Sequence, residues 1–234
     1  PRTLVGEGAG GVSLNSFSDF TFADAGYGDA AMRRAAFLGF ADGAADDGSM
    51  RSRILAAQDN MVDAIGAVSE VAKTAKGALT PAQTVAAMMA ANVGTEIGFI
   101  TFGGFDTHTT QRGQQAAQLA KVDTAIGDFF TAARSLGIAD RVTVMTFTDF
   151  GRRVGENASN GTDHGTSLPF LIAGPGVRGG VMHGARPDLS DLTNGNLKPS
   201  INMETLYGSV VSEVLGTDPA PIVGSSITPI KLLR

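Results

Sequence analysis

Apolar positions along the chain recur in two rhythms. Ile54, Ala57, Met61, Ile65, Val68 and Val71 fall at spacings of three and four, which puts them on one face of a helix. A second helix opens at Thr80-Pro81, threonine serving as N-cap and proline suiting the first helical position. It runs through AQTVAAMMAAN to a stop near Gly94. A longer amphipathic helix spans 114–136, its stripe made by Leu119, Val122, Ile126, Phe129, Phe130, Ala133 and Leu136, with Gly137 closing it. A last helix covers 202–215 and ends at Gly216. Between the helices the rhythm gives way to short continuous apolar runs at 96–102, 141–147 and 168–173, which predict buried strands. Strand, helix, strand in that order predicts βαβ units. The expected class is therefore α/β, a mostly parallel sheet sandwiched by helices with a helical N-terminal subregion. Residues 1–27 are rich in Gly, Ser and Asp and show little periodicity. We divide the chain into 1–80, an opening segment and helical subregion of the same domain, and 81–234, the α/β core.

Composition narrows the function more than the fold. The 234 residues are 43% hydrophobic and 18% charged, which supports a real core and excludes a disordered chain. Eighteen basic against 23 acidic residues leave a net charge of -5, the wrong sign for a general nucleic-acid binder. No apolar stretch reaches the ~18 residues of a membrane span. Cysteine is absent, which excludes disulfides, thiolate zinc sites, iron–sulfur clusters and cysteine nucleophiles. The 31 glycines cluster at 6–11, 103–104 and 174–184, as in loops and tight turns. Gly6 to Gly11 spells G-x-G-x-x-G, but neither a strand before it nor a helix after it supports dinucleotide binding. No G-x-S-x-G elbow is present, which argues against an ordinary α/β-hydrolase triad. The chain starts at Pro1 and shows no targeting peptide.

The candidate chemistry lies in three loops. The run 96–102 leads into GGFDTHTTQ, the run 141–147 into TDFGRR, and NGTDHG precedes the run 168–173. In an α/β sheet such loops gather at the carboxyl ends of the strands. Asp106 and His108 are two apart, so on an extended backbone their carboxylate and imidazole point the same way. That pairing suits Zn, Mn or a related divalent ion. The alternative is structural, with Asp106 or Thr109 capping the helix that begins near Gln111. Asp149 offers a further ligand, with Arg152 or Arg153 clamping an oxyanion. Its alternative is an N-cap or an ion pair with Arg152. Asp163 and His164, bracketed by glycines, join the candidate ligand set or form a solvated turn. His183 reads as a loop residue, and the Asn157 and Asn160 sequons matter only in a glycosylating host.

Taken in order, GGFDTH, a helix ending in LG, VTVMTFTDFGRR followed by EN, NGTDHG, and a strand followed by GPGVRGG resemble the bacterial domain-of-unknown-function 1501 family. That family is placed in the alkaline-phosphatase/sulfatase-like superfamily, and the match runs from about Pro81 to the end. The resemblance implies an alkaline-phosphatase-like fold and a one- or two-metal site hydrolysing phosphate or sulfate esters. By it Asp106 and His108 fill the first ligand motif, His164 the later histidine, and Asp149 the acidic position after a central strand. The metal would be Zn or Mn, with Mg or Ca as further candidates. The chain departs from the pattern in places. It reads TDF where the family more often has S-E-F and phosphatases have Asp-His, and Phe150 cannot ligate; Asn202 replaces an Asp common in D-F-R. GGVSLNS at Gly10 to Ser16 lacks the Asp of G-G-x-D-G-L-N, and no S-H-F segment follows.

The expectation is thus the C-terminal part of a longer protein whose N-terminal segment, in the same chain or a separate one, completes the site. Export, often by a twin-arginine signal, implies a periplasmic or secreted location. The expected function is a metal-dependent hydrolase acting on a small ester. The alternative is a non-catalytic exported binding or assembly protein. Oligomeric state is open.

Overall fold

The structure is a computed structural model, and it describes residues 29–39, 47–56, 58, 66, 79–90, 95–224 and 227–234. The chain divides into two units, Pro1–Phe99 and Ile100–Arg234, and each is described by itself.

In the first unit, helix α1 covers Ala30–Gly39, and the Asp29 carboxylate accepts from Ala31 N at 3.0 Å at its start. Helical turns over 50–56 start from Ser49, whose Oγ accepts from Ser52 N at 3.2 Å. There Leu55 is buried while Ile54, the first residue of the expected stripe, is 58% exposed. The rest of that stripe (Ala57, Met61, Ile65, Val68 and Val71), the segment 1–27 with its glycine cluster, and the stop near Gly94 lie outside the described residues. Helix α2, Pro81–Ala90, starts with a reciprocal capping box. Gln83 N donates to Thr80 Oγ1 at 3.3 Å, and Thr80 N donates to Gln83 Oε1 at 2.9 Å. Ala82, Ala86 and Ala87 form its buried face.

In the second unit, helix α3 covers Gln111–Ser135, with Phe129 and Ala133 buried and Leu119 53% exposed. Leu136 N, Gly137 N and Ile138 N donate to Ala132, Arg134 and Ala133 carbonyls, which closes the last turn. A 3-10 turn, Ala139–Arg141, leads to strand β1, Val144–Met145. Strands β2, Gly151–Arg152, and β3, His164–Gly165, pair with each other, and β4, Ile172–Ala173, pairs with β1. Strands β5, Leu192–Thr193, and β6, Asn196–Leu197, form a hairpin whose turn residues Asn194 and Gly195 both have positive φ, 50° and 78°. Helix α4, Met203–Glu213, is capped by Asn202, whose side chain accepts from Thr205 N at 2.8 Å, and a short α5 covers Ala220–Val223. The C-terminal residues strap onto α4. Ile230 N donates to Ser209 Oγ, and Leu232 N and Leu233 N both donate to Glu213 Oε2, each at 2.8 Å. Leu232, Leu206 and Val177 are buried in this region. No helix among the described residues is long and apolar enough to cross a membrane.

The expected α/β architecture, a mostly parallel sheet sandwiched by helices as in alkaline phosphatases, is overturned. Every ladder among the described residues is antiparallel and two strands wide. The run 96–102 forms no ladder, so α3 does not return the chain to a parallel neighbour. The run 141–147 contributes two residues, which meet β4 in the register Val144↔Ala173 and Met145↔Ile172. Beyond them Leu171 N turns to the Thr146 hydroxyl at 3.0 Å. A strand inside a parallel sheet is buried on both faces. Here Ile97 is 61% and Leu171 50% exposed.

Candidate metal centre

The segment before α3 makes a tight turn, with Thr107 N donating to Phe105 O at 2.9 Å. Thr107 points inward and is 3% exposed, while Asp106 and His108 on either side of it are exposed. Helix α3 has Thr110 at its N-cap in the left-handed region, φ 47° and ψ 39°, with no side-chain cap. The backbone N–H groups at its start find carbonyls in the turn 157–160 instead. Thr110 N donates to Ser159 O at 3.0 Å, and Gln111 N to Asn160 O at 2.9 Å. The Asp106 carboxylate is thereby left to other partners.

The ladder β2–β3 sets the second half of the site. Its register places Arg152 opposite His164 and Gly151 opposite Gly165. Two glycines permit the close approach of the loops. A Cβ on Gly161 would lie 2.2 Å from His108 C and O, and one on Gly165 would lie 2.5 Å from Arg152 C. The Arg152 guanidinium, 16% exposed, ties the loops together. It donates to Thr162 O at 2.5 Å and Phe105 O at 2.6 Å, and reaches Asp106 Oδ1 at 3.4 Å. Gln111 Oε1 accepts from the Thr162 hydroxyl at 2.7 Å, adding a link from α3.

Three side chains converge. His164 Nε2 lies 2.7 Å and His108 Nε2 3.0 Å from Asp106 Oδ1, and the two imidazole nitrogens are 3.1 Å apart. All ligand atoms of Asp106, His108 and His164 lie within 4.8 Å of one another, so the group can hold a metal ion. A tetrahedral ion with bonds near 2.05 Å sets neighbouring donors about 3.3 Å apart, so the three need to spread by only ~0.2–0.6 Å. The donor set of one carboxylate and two imidazoles fits Zn and other borderline divalent ions. The His164 hydrogen bond, helped by the His108, His164 and Arg152 charges, holds the Asp106 carboxyl below its ordinary value, so it presents an anion. Side-chain exposures of 62%, 45% and 47% for Asp106, His108 and His164 leave the position open to solvent.

The remaining candidates sit around this group. Asp163 is behind His108, its Oδ1 3.6 Å from the far ring nitrogen Nδ1. Asp149 is exposed and stands outside the converging set, and Arg152 pairs with Asp106 rather than with it. Arg153 donates its backbone N to Asp163 O at 2.9 Å. Its Nη1 lies 3.8 Å from where a Gly195 Cβ would project, at the tip of the β5–β6 hairpin. Successive residues of a strand face opposite ways, which separates the two arginines.

The roles of two residues of the site, Phe150 and Asn157, escaped the sequence reasoning. Phe150 stacks on His164, centroids 4.0 Å apart and planes 9° apart, and the Arg152 guanidinium lies over the same phenyl ring, 4.9 Å from its centroid. Asn157 bonds to both loops, donating to His108 O at 3.0 Å and Asp163 Oδ1 at 3.3 Å. Its signal was the spacing N-x-x-x-G-x-D-H, in which an Asx turn precedes the acid and the histidine.

A family model described as a protein of unknown function, DUF1501, matches residues 34–223. No curated protein and no solved structure matches the chain.

Proposed function

The chain belongs to the DUF1501 family of proteins of unknown function, and from that premise and the site geometry we propose a metal-dependent hydrolase of phosphate or sulfate esters. One observation carries the reading. Among the described residues Asp106, His108 and His164 offer three convergent donors in a solvent-open position. Structural zinc sites are closed by four protein ligands, whereas catalytic sites keep a place for water or substrate. A divalent ion held there would supply a Lewis acid for an ester oxygen and lower the pKa of a bound water.

The chain's own residues do the rest. Arg152 fixes the distance between the Asp106 and His164 loops through the Phe105 and Thr162 carbonyls. Arg153, the exposed residue after β2, turns toward the β5–β6 hairpin tip and meets an anionic substrate only where that substrate extends to that side. The order of the motifs resembles that of the DUF1501 family, and the placement of that family in the alkaline-phosphatase/sulfatase-like superfamily supports ester hydrolysis; the fold does not add to that support. Zn or Mn suits the donor set better than Mg or Ca, which prefer all-oxygen shells. The same resemblance supports an exported protein.

A second reading is favoured by the commitment of Arg152 to two main-chain carbonyls and by Asp149 not being one of the converging donors. In it the metal orders a binding or assembly surface without turnover. Purified protein supplied with Zn, Mn, Mg or Ca and offered an aryl phosphate and an aryl sulfate separates the two. Turnover that disappears in His164→Ala is the expected result. Metal retention without turnover of either ester establishes the binding reading, and protein that retains no metal sinks both.

A further inference from the structure

We propose that Asp163, held in place by Asn157, is a positioning residue for His108 and not itself a ligand. This rests on the reading of Asp106, His108 and His164 as a metal centre. An imidazole that gives one ring nitrogen to a metal carries its proton on the other, and the group facing that proton fixes the ring and raises its basicity. His108 turns Nε2 toward Asp106 and His164, at 3.0 and 3.1 Å, which leaves Nδ1 on the outer side. The acidic oxygen facing Nδ1 is Asp163 Oδ1 at 3.6 Å, within ion-pair reach and beyond hydrogen-bond length. Once an ion takes the Nε2 lone pair, the Nδ1 proton has this carboxylate as its acceptor.

Asp163 is held for that task. Its Oδ1 accepts from Asn157 Nδ2 at 3.3 Å, and the same amide nitrogen donates to the His108 main-chain oxygen at 3.0 Å. One amide therefore fixes both the carboxylate and the backbone of the histidine it serves. Asn157 is itself pinned. Its Oδ1 accepts from Ser159 N at 2.9 Å and Gly161 N at 3.0 Å, and its own N donates to Gly161 O at 2.8 Å. Two acceptors on the nitrogen side and two N–H donors on the oxygen side determine which way the amide points. The main-chain oxygen of Asp163 accepts from Arg153 N, which ties it to the end of β2. His164 is steered differently, by the face of Phe150. The effect of Asp163 is accordingly specific to His108.

The test compares full-length wild type with Asp163→Asn, measuring zinc affinity by chelator competition and the exchangeable imidazole N–H resonances of the zinc-loaded protein. Asp163→Asn is expected to bind zinc about 10–100-fold more weakly, as for loss of an outer-shell partner. Its His108 Nδ1 proton moves upfield and exchanges faster while that of His164 stays put, and Asp163→Glu recovers part of the affinity. Equal affinity with an unmoved His108 proton overturns the positioning role and leaves the metal centre standing. A loss as complete as that in His164→Ala makes Asp163 a ligand and overturns the assignment. Should Asp163→Asn fail to fold, the zinc-loaded wild type decides alone, because a rapidly exchanging His108 Nδ1 proton refutes the contact. Wild type that takes up no zinc removes the metal centre, and this inference with it.

Discussion

Replacing Gly161 by alanine probes whether the two loops of the site are held together by backbone contact. The added Cβ would fall 2.2 Å from His108 C and O and 2.7 Å from Thr109 N, where ordinary contact begins near 3.4 Å. The loops must then part by about 1.2 Å, since the obstructing atoms are main chain and cannot swing aside as a side chain can. They are also tethered on both sides, by Asn157 Nδ2 to His108 O and by Thr110 N to Ser159 O. Metal ligands tolerate deviations of only about 0.2 Å, so a shift of that size moves His108 out of reach of an ion shared with His164. Overpacking of this kind costs about 1–3 kcal/mol, which for a chain of this length lowers Tm by about 2–12 °C. Zinc affinity should fall by roughly 100-fold or more, the upper end of losses seen for supporting residues. Chelator competition and a thermal melt measure both effects. Gly155→Ala is the control, since a Cβ there meets no heavy atom within 4 Å, and it should match wild type in both. A Gly161→Ala protein that binds zinc and melts like wild type would falsify the account of how the loops meet.

Two further substitutions test the framework. Arg152→Lys keeps the charge but loses the fork that spans the Phe105 and Thr162 carbonyls, so urea denaturation should show a loss of about 2 kcal/mol, and equal stability would refute the tether. Glu213 accepts from the backbone N–H of Leu233 and of Leu232, and with Lys231 nearby these hold its carboxyl below the ordinary 4.5. A carboxyl depressed in the folded state contributes stability above its unfolded value and loses it as pH falls through the folded one. Stability of wild type should therefore decline as pH drops below about 4.5, more steeply than that of Glu213→Gln, which should also be about 1–2 kcal/mol less stable at pH 7. Urea midpoints from pH 3 to 7 check this, and parallel curves for the two proteins would contradict it.

The helices were legible because their signals are local. Thr80 with Gln83, Asn202 with Thr205, and the Leu136-Gly137-Ile138 closure are contacts between residues three to five apart, and residue type at that spacing brings such partners together. Strand pairing carries no such local mark. Val144 meets Ala173 across 29 residues, and nothing in an apolar run states whether its partner lies parallel or antiparallel, or whether it has one. The runs 96–102, 141–147 and 168–173 have the composition of buried strands, yet the ladders formed from them are two residues long. The positions of α2, α3 and α4 were thus readable and the sheet built upon them was not.

The site shows the same division at finer scale. Asp106, His108 and His164 could be picked out because few residue types ligate metals and each stands in a glycine-flanked loop. The expected reason for their meeting, the carboxyl edge of a parallel sheet, is not the one the structure uses. The N-terminus of α3 has no side-chain cap, and its first N–H groups take the carbonyls of Ser159 and Asn160. That need draws the turn 157–160 onto the helix start and with it the residues that follow, Asp163 and His164. The β2–β3 register then brings Arg152 across from His164, where its guanidinium reaches back to Phe105 beside Asp106. Backbone groups seeking partners thus place the ligands. Such partners are main chain, identical in every residue type, and for that reason leave no trace in the order of the side chains.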